Sequence, residues 1–186
     1  SSPIKEIPED VLDIILYGDD HDVAVNSKKY PGTLWYVKYR GVIDFMKKNK
    51  LDISHTTYSI INDKNKILSY REASKKSSYS NLLNSCDIGL STVIIKKKLF
   101  LKYKFSSNKT KEDYSLWLKL SRKNSIYGLD KEFSSWRKLD NSLSSNTLQK
   151  IFDAFDIYYR QEKFNFTTSV TKVIILSFNF LKKSWF

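Results

Sequence analysis

Two hydrophobic periods alternate along the chain, one suited to helix and one to strand. Pro8-Glu9-Asp10 places a proline and two acids where a helix begins, and Gly18 stands where it would stop. Residues 8–17 therefore read as a short helix. Val23 and Val25, then Leu34 and Tyr36, read as two strands around Lys28-Lys29-Tyr30-Pro31-Gly32. Val42, Ile43, Phe45 and Met46 suit a helix ending near Asn49. Residues 51–61, LDISHTTYSII, are rich in β-branched and aromatic side chains and predict a strand. Asn62-Asp63-Lys64-Asn65 is a turn, with a return strand over 67–70.

Residues 77–85 look helical, 92–95 form a short buried strand, and 97–102 make a helical turn. Thr110-Lys111-Glu112-Asp113 opens the clearest helix, with Leu116, Trp117 and Leu120 in one apolar stripe. Residues 125–127 and 133–137 read as two strands. Helix resumes at 145 or 146 and runs to about 162, and a last amphipathic helix covers 168–185. Strands and helices alternate with few hairpin signals and no internal repeat, which predicts an α/β layered domain.

Composition narrows this picture. The chain has 186 residues, 41% hydrophobic and 28% charged, enough for one globular domain with a core or one domain with an appendage. Only 5 glycines argue against a Gly-rich, phosphate-cradling fold. Cys86 is the single cysteine, so no internal disulfide forms and a reducing cytosol fits best. With only His21 and His55 beside it, Cys86 is poor material for a thiol dyad. His55, mid-strand, reads as a satisfied structural histidine. The start, Ser1-Ser2-Pro3-Ile4, has no signal-peptide core, and the longest apolar run, around Val173 to Leu176, falls far short of the roughly 20 residues that span a bilayer. The net charge of +12 suits nucleic acid, anionic lipid or a phosphorylated substrate. The lysines are scattered in short clusters on what read as solvated faces, so a nucleic-acid tail is disfavoured.

Four stretches carry a family resemblance. They are Ile43-Asp44-Phe45-Met46-Lys47-Lys48-Asn49 with Asp52-Ile53-Ser54-His55-Thr56-Thr57-Tyr58; Cys86-Asp87-Ile88-Gly89-Leu90-Ser91-Thr92-Val93-Ile94-Ile95; Lys111-Glu112-Asp113-Tyr114-Ser115-Leu116-Trp117-Leu118; and Trp136-Arg137-Lys138-Leu139-Asp140-Asn141-Ser142-Leu143-Ser144. In order and spacing they resemble family 2, GT-A type glycosyltransferases, over residues 41–146. The resemblance implies an α/β, partial GT-A-like layered domain at 41–146. Residues 1–40 form an N-terminal segment of uncertain origin, and 147–186 a helical C-terminal extension. It implies sugar transfer from a nucleotide-sugar to a hydroxyl of a glycan or lipid-linked acceptor, in surface polysaccharide synthesis.

The same resemblance assigns roles. Asp113 is the general base, with Glu112 beside it, because an attacking hydroxyl must lose its proton. The helix dipole at that first turn is expected to keep Asp113 ionised. Against this stands a capping box, since Thr110-x-x-Asp113 has its spacing. Arg137 would bind diphosphate or a phosphorylated acceptor, against a surface ion pair. Trp136 would stack on a sugar, Thr92 belongs to the strand lining the acceptor site, and Trp117 reads as core.

The donor side departs from the family. A nucleotide-binding unit and a metal-binding acidic turn, holding Mn or Mg, would precede Phe45-Met46, but only about forty residues do, and the expected acidic pair falls at Gly32-Thr33. Asp19-Asp20-His21-Asp22 offers carboxylates, with Asp20 and Asp22 as metal ligands, against a solvated acidic turn. Residues 3–43 also resemble a segment of the excision-repair UvrA subunit. The expected protein is thus a truncated glycosyltransferase, weak or inactive alone. It would be cytoplasmic, and peripheral at the inner face of the plasma membrane where Val170, Val173, Ile174, Ser177, Phe178 and Leu181 make one apolar helix face. Docking of that face on the domain's own core is the other outcome. The competing function is a non-catalytic basic module that holds nucleic acid or a phosphorylated partner.

Overall fold

The computed structural model describes residues 8–20, 22–26, 34–139 and 146–185, with backbone alone at 22–26, 34–37 and 184–185. The chain divides into two compact units, Ser1–Leu51 and Asp52–Phe186.

The first unit contains α1 (Glu9–Tyr17), β1 (Asp22–Asn26), β2 (Leu34–Lys38) and α2 (Gly41–Lys48). β1 and β2 pair antiparallel, Asp22 opposite Lys38 and Asn26 opposite Leu34. α1 ends at Gly18 and α2 begins at Gly41, both at positive φ, +93° and +76°. The two glycines sit where backbones nearly touch. A Cβ on Gly18 would lie 2.2 Å from the Tyr39 carbonyl oxygen, and one on Gly41 2.3 Å from that of Leu16. Asp19 N–H donates to Tyr39 O (2.8 Å) and the Tyr39 hydroxyl donates to Ile15 O (2.9 Å), which fastens the crossing.

The second unit is built on β3 (Ile53–Ile61). β6 (Tyr127–Arg137) runs parallel along one edge of β3. The other edge is shared by β5 (Val93–Ile95) at the start and β4 (Ile67–Arg71) at the end, both antiparallel. The described architecture is α/β, with a mixed four-stranded sheet. All of β3 except Tyr58 is buried, although five of its residues are polar or titratable. Their hydrogen bonds make this tolerable. Ser54 Oγ donates to Tyr127 O, Ser59 meets Ser135, and Thr57 Oγ1 donates to Asp130 while accepting from Ala73 N–H. His55 is the exception, fully buried with no partner for either ring nitrogen, so it is not the satisfied histidine expected of it.

The two strands expected at 125–127 and 133–137 are one strand, β6. The polar stretch Asp130-Lys131-Glu132 breaks its apolar alternation, but register shifts at Thr56/Thr57 and Thr57/Tyr58 absorb the extra residues and pairing with β3 continues. β5 is half-buried rather than buried. Helices cover the sheet: α3 (Tyr79–Leu82), α4 (Lys97–Lys102), α5 (Glu112–Ser121), α6 (Thr147–Asp156) with a π-helical continuation over Ile157–Gln161, and α7 (Phe166–Trp185).

α5 is the axis of the core. Tyr114, Leu116, Trp117, Leu118 and Leu120 are all buried, so it is apolar nearly all round, as a central helix is. Trp117 packs in the core as expected, with its indole N–H unpartnered. Tyr114 OH donates to Leu82 O and Tyr158 OH to Leu83 O, both at 2.8 Å, and the two hydroxyl oxygens lie 2.7 Å apart. This polar knot locks α3, α5 and the π-helical turn together.

The face expected on the last helix is divided. Ser169, Val173 and Leu176 dock on the core, while Val170, Ile174, Phe178 and Leu181 remain exposed.

Candidate functional site

α5 begins without a side-chain cap at its N-cap residue, Lys111. The Thr110 hydroxyl donates instead to Asp153 Oδ2 (2.7 Å), as does the Thr110 N–H (2.8 Å). The capping box that the spacing of Thr110 and Asp113 allowed is therefore not formed. Asp113 Oδ1 accepts from the neighbouring Tyr114 N–H (2.6 Å), and its own N–H also acts on the carboxylate. Burial pushes the Asp113 carboxyl above its usual range, against the lowering effect of those N–H groups, and neighbouring Glu112 pushes the same way. The helix dipole was expected to hold Asp113 ionised, but desolvation is the larger effect here. Lys111, whose own pKa burial lowers, supplies the opposing positive charge.

The charge of Asp113 is felt by Cys86, in the loop between α3 and β5, and by Tyr58, on β3. The half-buried Cys86 thiol is pushed up to about 12, first by loss of water around the sulfur, so it is an inert thiol. Burial pushes the Tyr58 hydroxyl to about 12, and Arg71, Cys86, Asp87 and Asp113 all act on it electrostatically. The Tyr58 phenol thus feels an arginine and two carboxylates drawn from three other segments of chain. A Cβ on Gly89 would stand 3.0 Å from the edge of the Tyr58 ring. Thr92 Oγ1 donates to Gly89 O (2.8 Å), so Thr92 holds this turn against the ring. Asp87 is ion-paired to Lys183 at the end of α7. Asp87 also acts on His55, whose pKa burial lowers to about 4.

The sequence-predicted residues separate into three groups. Asp113, Glu112 and Thr92 lie around this site. Arg137 and Trp136 end β6, where Arg137 Nη1 donates to Asn62 O (2.7 Å) and Asp63 O (3.2 Å), and Nη2 to Asn65 Oδ1 (2.7 Å). Arg137 thus clamps the turn between β3 and β4, and no hydrogen bond or ion pair joins it to Asp113 or Glu112 among the described residues. Trp136 is 39% exposed on the strand opposite Ile60. Asp20 and Asp22 lie in the first unit, Asp20 exposed after α1 and Asp22 opening β1. Among the described residues no three His, Cys, Asp or Glu gather to hold a metal ion, and the side chain of Asp22, one of the two expected ligands, lies outside them. His21 and the Asp140-Asn141-Ser142-Leu143-Ser144 part of the fourth motif lie outside the described residues.

Sequence reasoning passed over Asp87, Tyr58, Arg71 and Lys183. Asp87 and Tyr58 stand inside stretches that carry the resemblance. Arg71 and Lys183 carry no local signal, because long-range packing alone brings them here.

The chain is similar to curated glycosyltransferases. It is 33% identical over 117 residues to the UDP-Glc:alpha-D-GlcNAc-diphosphoundecaprenol beta-1,3-glucosyltransferase WfgD of Escherichia coli, covering 62% of this chain and 46% of that protein. It is 24% identical over 143 residues to the putative teichuronic acid biosynthesis glycosyltransferase TuaG of Bacillus subtilis, covering 76% and 57%. It is 26% identical over 169 residues to an uncharacterized glycosyltransferase of Haemophilus influenzae, covering 90% and 63%. The chain thus spans about half the length of these relatives. The Haemophilus alignment leaves about a tenth of this chain outside it, fewer residues than the forty of the N-terminal segment, so part of that segment is shared with a glycosyltransferase. No family model and no solved structure matches.

Proposed function

We propose that this chain is the acceptor side of an inverting, GT-A type glycosyltransferase and that Asp113 is its general base. The acceptor hydroxyl oxygen attacks the anomeric carbon of a nucleotide-sugar. The new C–O bond forms as the old one breaks, the nucleoside diphosphate leaves with the bonding pair, and the hydroxyl proton passes to Asp113. The observation that carries this reading is the state of Asp113: uncoupled from Thr110, half-buried, and raised by burial toward the pH at which a base works best. Lys111 balances the charge that Asp113 carries before it takes the proton.

The names of the Escherichia coli and Bacillus relatives favour a UDP-sugar donor and an acceptor in envelope polysaccharide synthesis, the former a diphosphoundecaprenol-linked sugar. The exposed stripe Val170, Ile174, Phe178 and Leu181 supports a resting place of α7 at a bilayer surface, where a lipid-linked acceptor lies. No described helix is long and apolar enough to cross a membrane.

The test is transfer of labelled glucose from UDP-glucose to a polyprenyl-diphosphate N-acetylglucosamine, for the wild-type chain and Asp113→Asn. Transfer above the enzyme-free background that falls to background in Asp113→Asn supports the proposal. Transfer that survives Asp113→Asn removes the base assignment, and no transfer by the wild-type chain removes activity from these residues acting alone.

A further inference from the structure

Beside Asp87 the second unit carries an open pocket of about 340 Å³ with no apolar residue in its lining. Serines, asparagines, two lysines and one aspartate form its walls, among them Ser74, Lys76, Asn81, Asn84, Asp87 and Lys183. Two independent pieces of chain make it, the stretch from Ser74 to Asp87 and the last turns of α7.

The walls are fixed before any ligand arrives. Lys183 bonds both Asp87 and Ser85 through its ammonium, and its backbone carbonyl accepts from Arg71 Nη1 (2.8 Å). Asn84 accepts from Lys172 Nζ at its side chain (2.8 Å) and from Asn179 Nδ2 at its carbonyl (2.9 Å). Asn81 closes a reciprocal capping box with Ser78. A rigid polar surface of this kind gives up little order on binding.

Its charge defines the ligand. Lys183 and Asp87 neutralise each other. The exposed Lys76 ammonium lies 5.7 Å from the Tyr127 ring centre and has no carboxylate partner among the described residues. One positive charge therefore stays uncompensated above a floor of hydroxyl and amide groups. Hydroxyls and amides suit the hydroxyls of a sugar, and an unpaired ammonium suits a phosphoryl group.

We infer that this pocket is the acceptor subsite and takes a phosphorylated sugar, with Lys76 facing the phosphoryl group and Asp87 a ring hydroxyl. The assignment rests on the transferase reading, and it gives α7 a second task as one wall of the site. Lys183 is a positioning residue, because it acts by holding Asp87.

Glucose 1-phosphate, glucose and inorganic phosphate are the probes, titrated separately into the isotope-labelled full chain and followed by amide NMR. Glucose 1-phosphate is expected to shift amides between Ser74 and Asp87 and at the end of α7, and to bind more tightly than inorganic phosphate, with glucose weakest. Lys76→Gln, at an exposed position, is expected to weaken it roughly tenfold, the worth of one charge-assisted bond. Lys183→Gln weakens it too, with dispersion unchanged in the α5 amides that report an intact core. Equal binding of inorganic phosphate, indifference to Lys76→Gln, or shifts elsewhere overturn the inference. No binding of glucose 1-phosphate by a chain that still transfers glucose overturns this subsite and leaves the transferase standing. Binding here by a chain without transfer leaves a sugar-phosphate site in place but overturns its role as an acceptor subsite.

Discussion

Thr110 gives its hydroxyl to Asp153, on α6, and not to the helix it precedes. Asp153 Oδ2 receives both the hydroxyl and the backbone N–H of Thr110, and Oδ1 receives Gln149 Nε2 (3.0 Å). Burial alone would raise the Asp153 carboxyl, but these donors outweigh it and hold it below the usual carboxylate range. Asp113, relieved of capping, is left to burial. Two aspartates are thus pushed in opposite directions, one by donors and one by their scarcity.

That arrangement predicts the effect of Asp153→Ala. It orphans the Thr110 N–H and hydroxyl and unties α6 from the start of α5, at a cost of about 2 kcal/mol. Urea unfolding should show a lower midpoint with an unchanged slope. The Asp153 contribution is present above the carboxyl's unfolded pKa and is lost as pH falls through the lower folded value. The gap between wild type and Asp153→Ala should therefore close in acid. A gap that is the same at pH 7 and pH 3 would sink this account.

His55 sets a second pH dependence, at milder acidity. Its imidazole, fully buried without partners, protonates in the folded chain only near pH 4, against 6.5 ordinarily. Between those values the unfolded chain binds the proton and the folded chain does not. Stability therefore falls as pH drops through this window, by about 3 kcal/mol at its lower end. His55→Leu removes two orphaned nitrogens and should flatten the profile between pH 6.5 and 4 without loss at pH 7.5. Stability curves of the two proteins that run parallel over this range would refute it.

Much of this was legible in sequence where local signals agree. The short helix before Gly18, the strand pair around Asn62 to Asn65, α5 and the long final helix each have a period and a stop signal. β6 was not legible as one strand, because Asp130, Lys131 and Glu132 lack alternation and depend on pairing with β3, more than seventy residues away. At the site, Asp113 and Glu112 were visible through their motif. The setting of Asp113 was not, because Thr110 chooses between Asp113 and Asp153 by tertiary contact. Lys183 meets Asp87 across 96 positions of sequence, a distance over which no pattern speaks.

The glycine crossing of the first unit predicts strict intolerance. Gly18→Ala or Gly41→Ala adds a methyl less than 2.5 Å from a backbone oxygen at a φ that alanine resists. Each should destabilise that unit by about 2 kcal/mol or more. Hydrogen exchange of α1 and α2 amides should quicken in both variants, while α5 amides keep their protection. Unchanged exchange in α1 and α2 would mean the close approach is relieved by a small shift.

Arg137 separates a turn clamp from a phosphate ligand. Its guanidinium bonds two carbonyls and one side-chain amide of the turn between β3 and β4, a fork that lysine cannot reproduce. Arg137→Lys keeps the charge but loses this geometry. It should lower stability by about 1–2 kcal/mol, the worth of one or two bonds made by a charged donor. Amides at Asn62 to Asn65 should exchange faster, because the turn then relies on the Asn62 side chain, which accepts from Lys64 and Lys66 N–H. Any affinity for UDP should stay within about twofold of wild type, since the charge persists and the group is committed elsewhere. A stable Arg137→Lys with strongly weakened UDP binding would reverse the assignment and place Arg137 on the diphosphate.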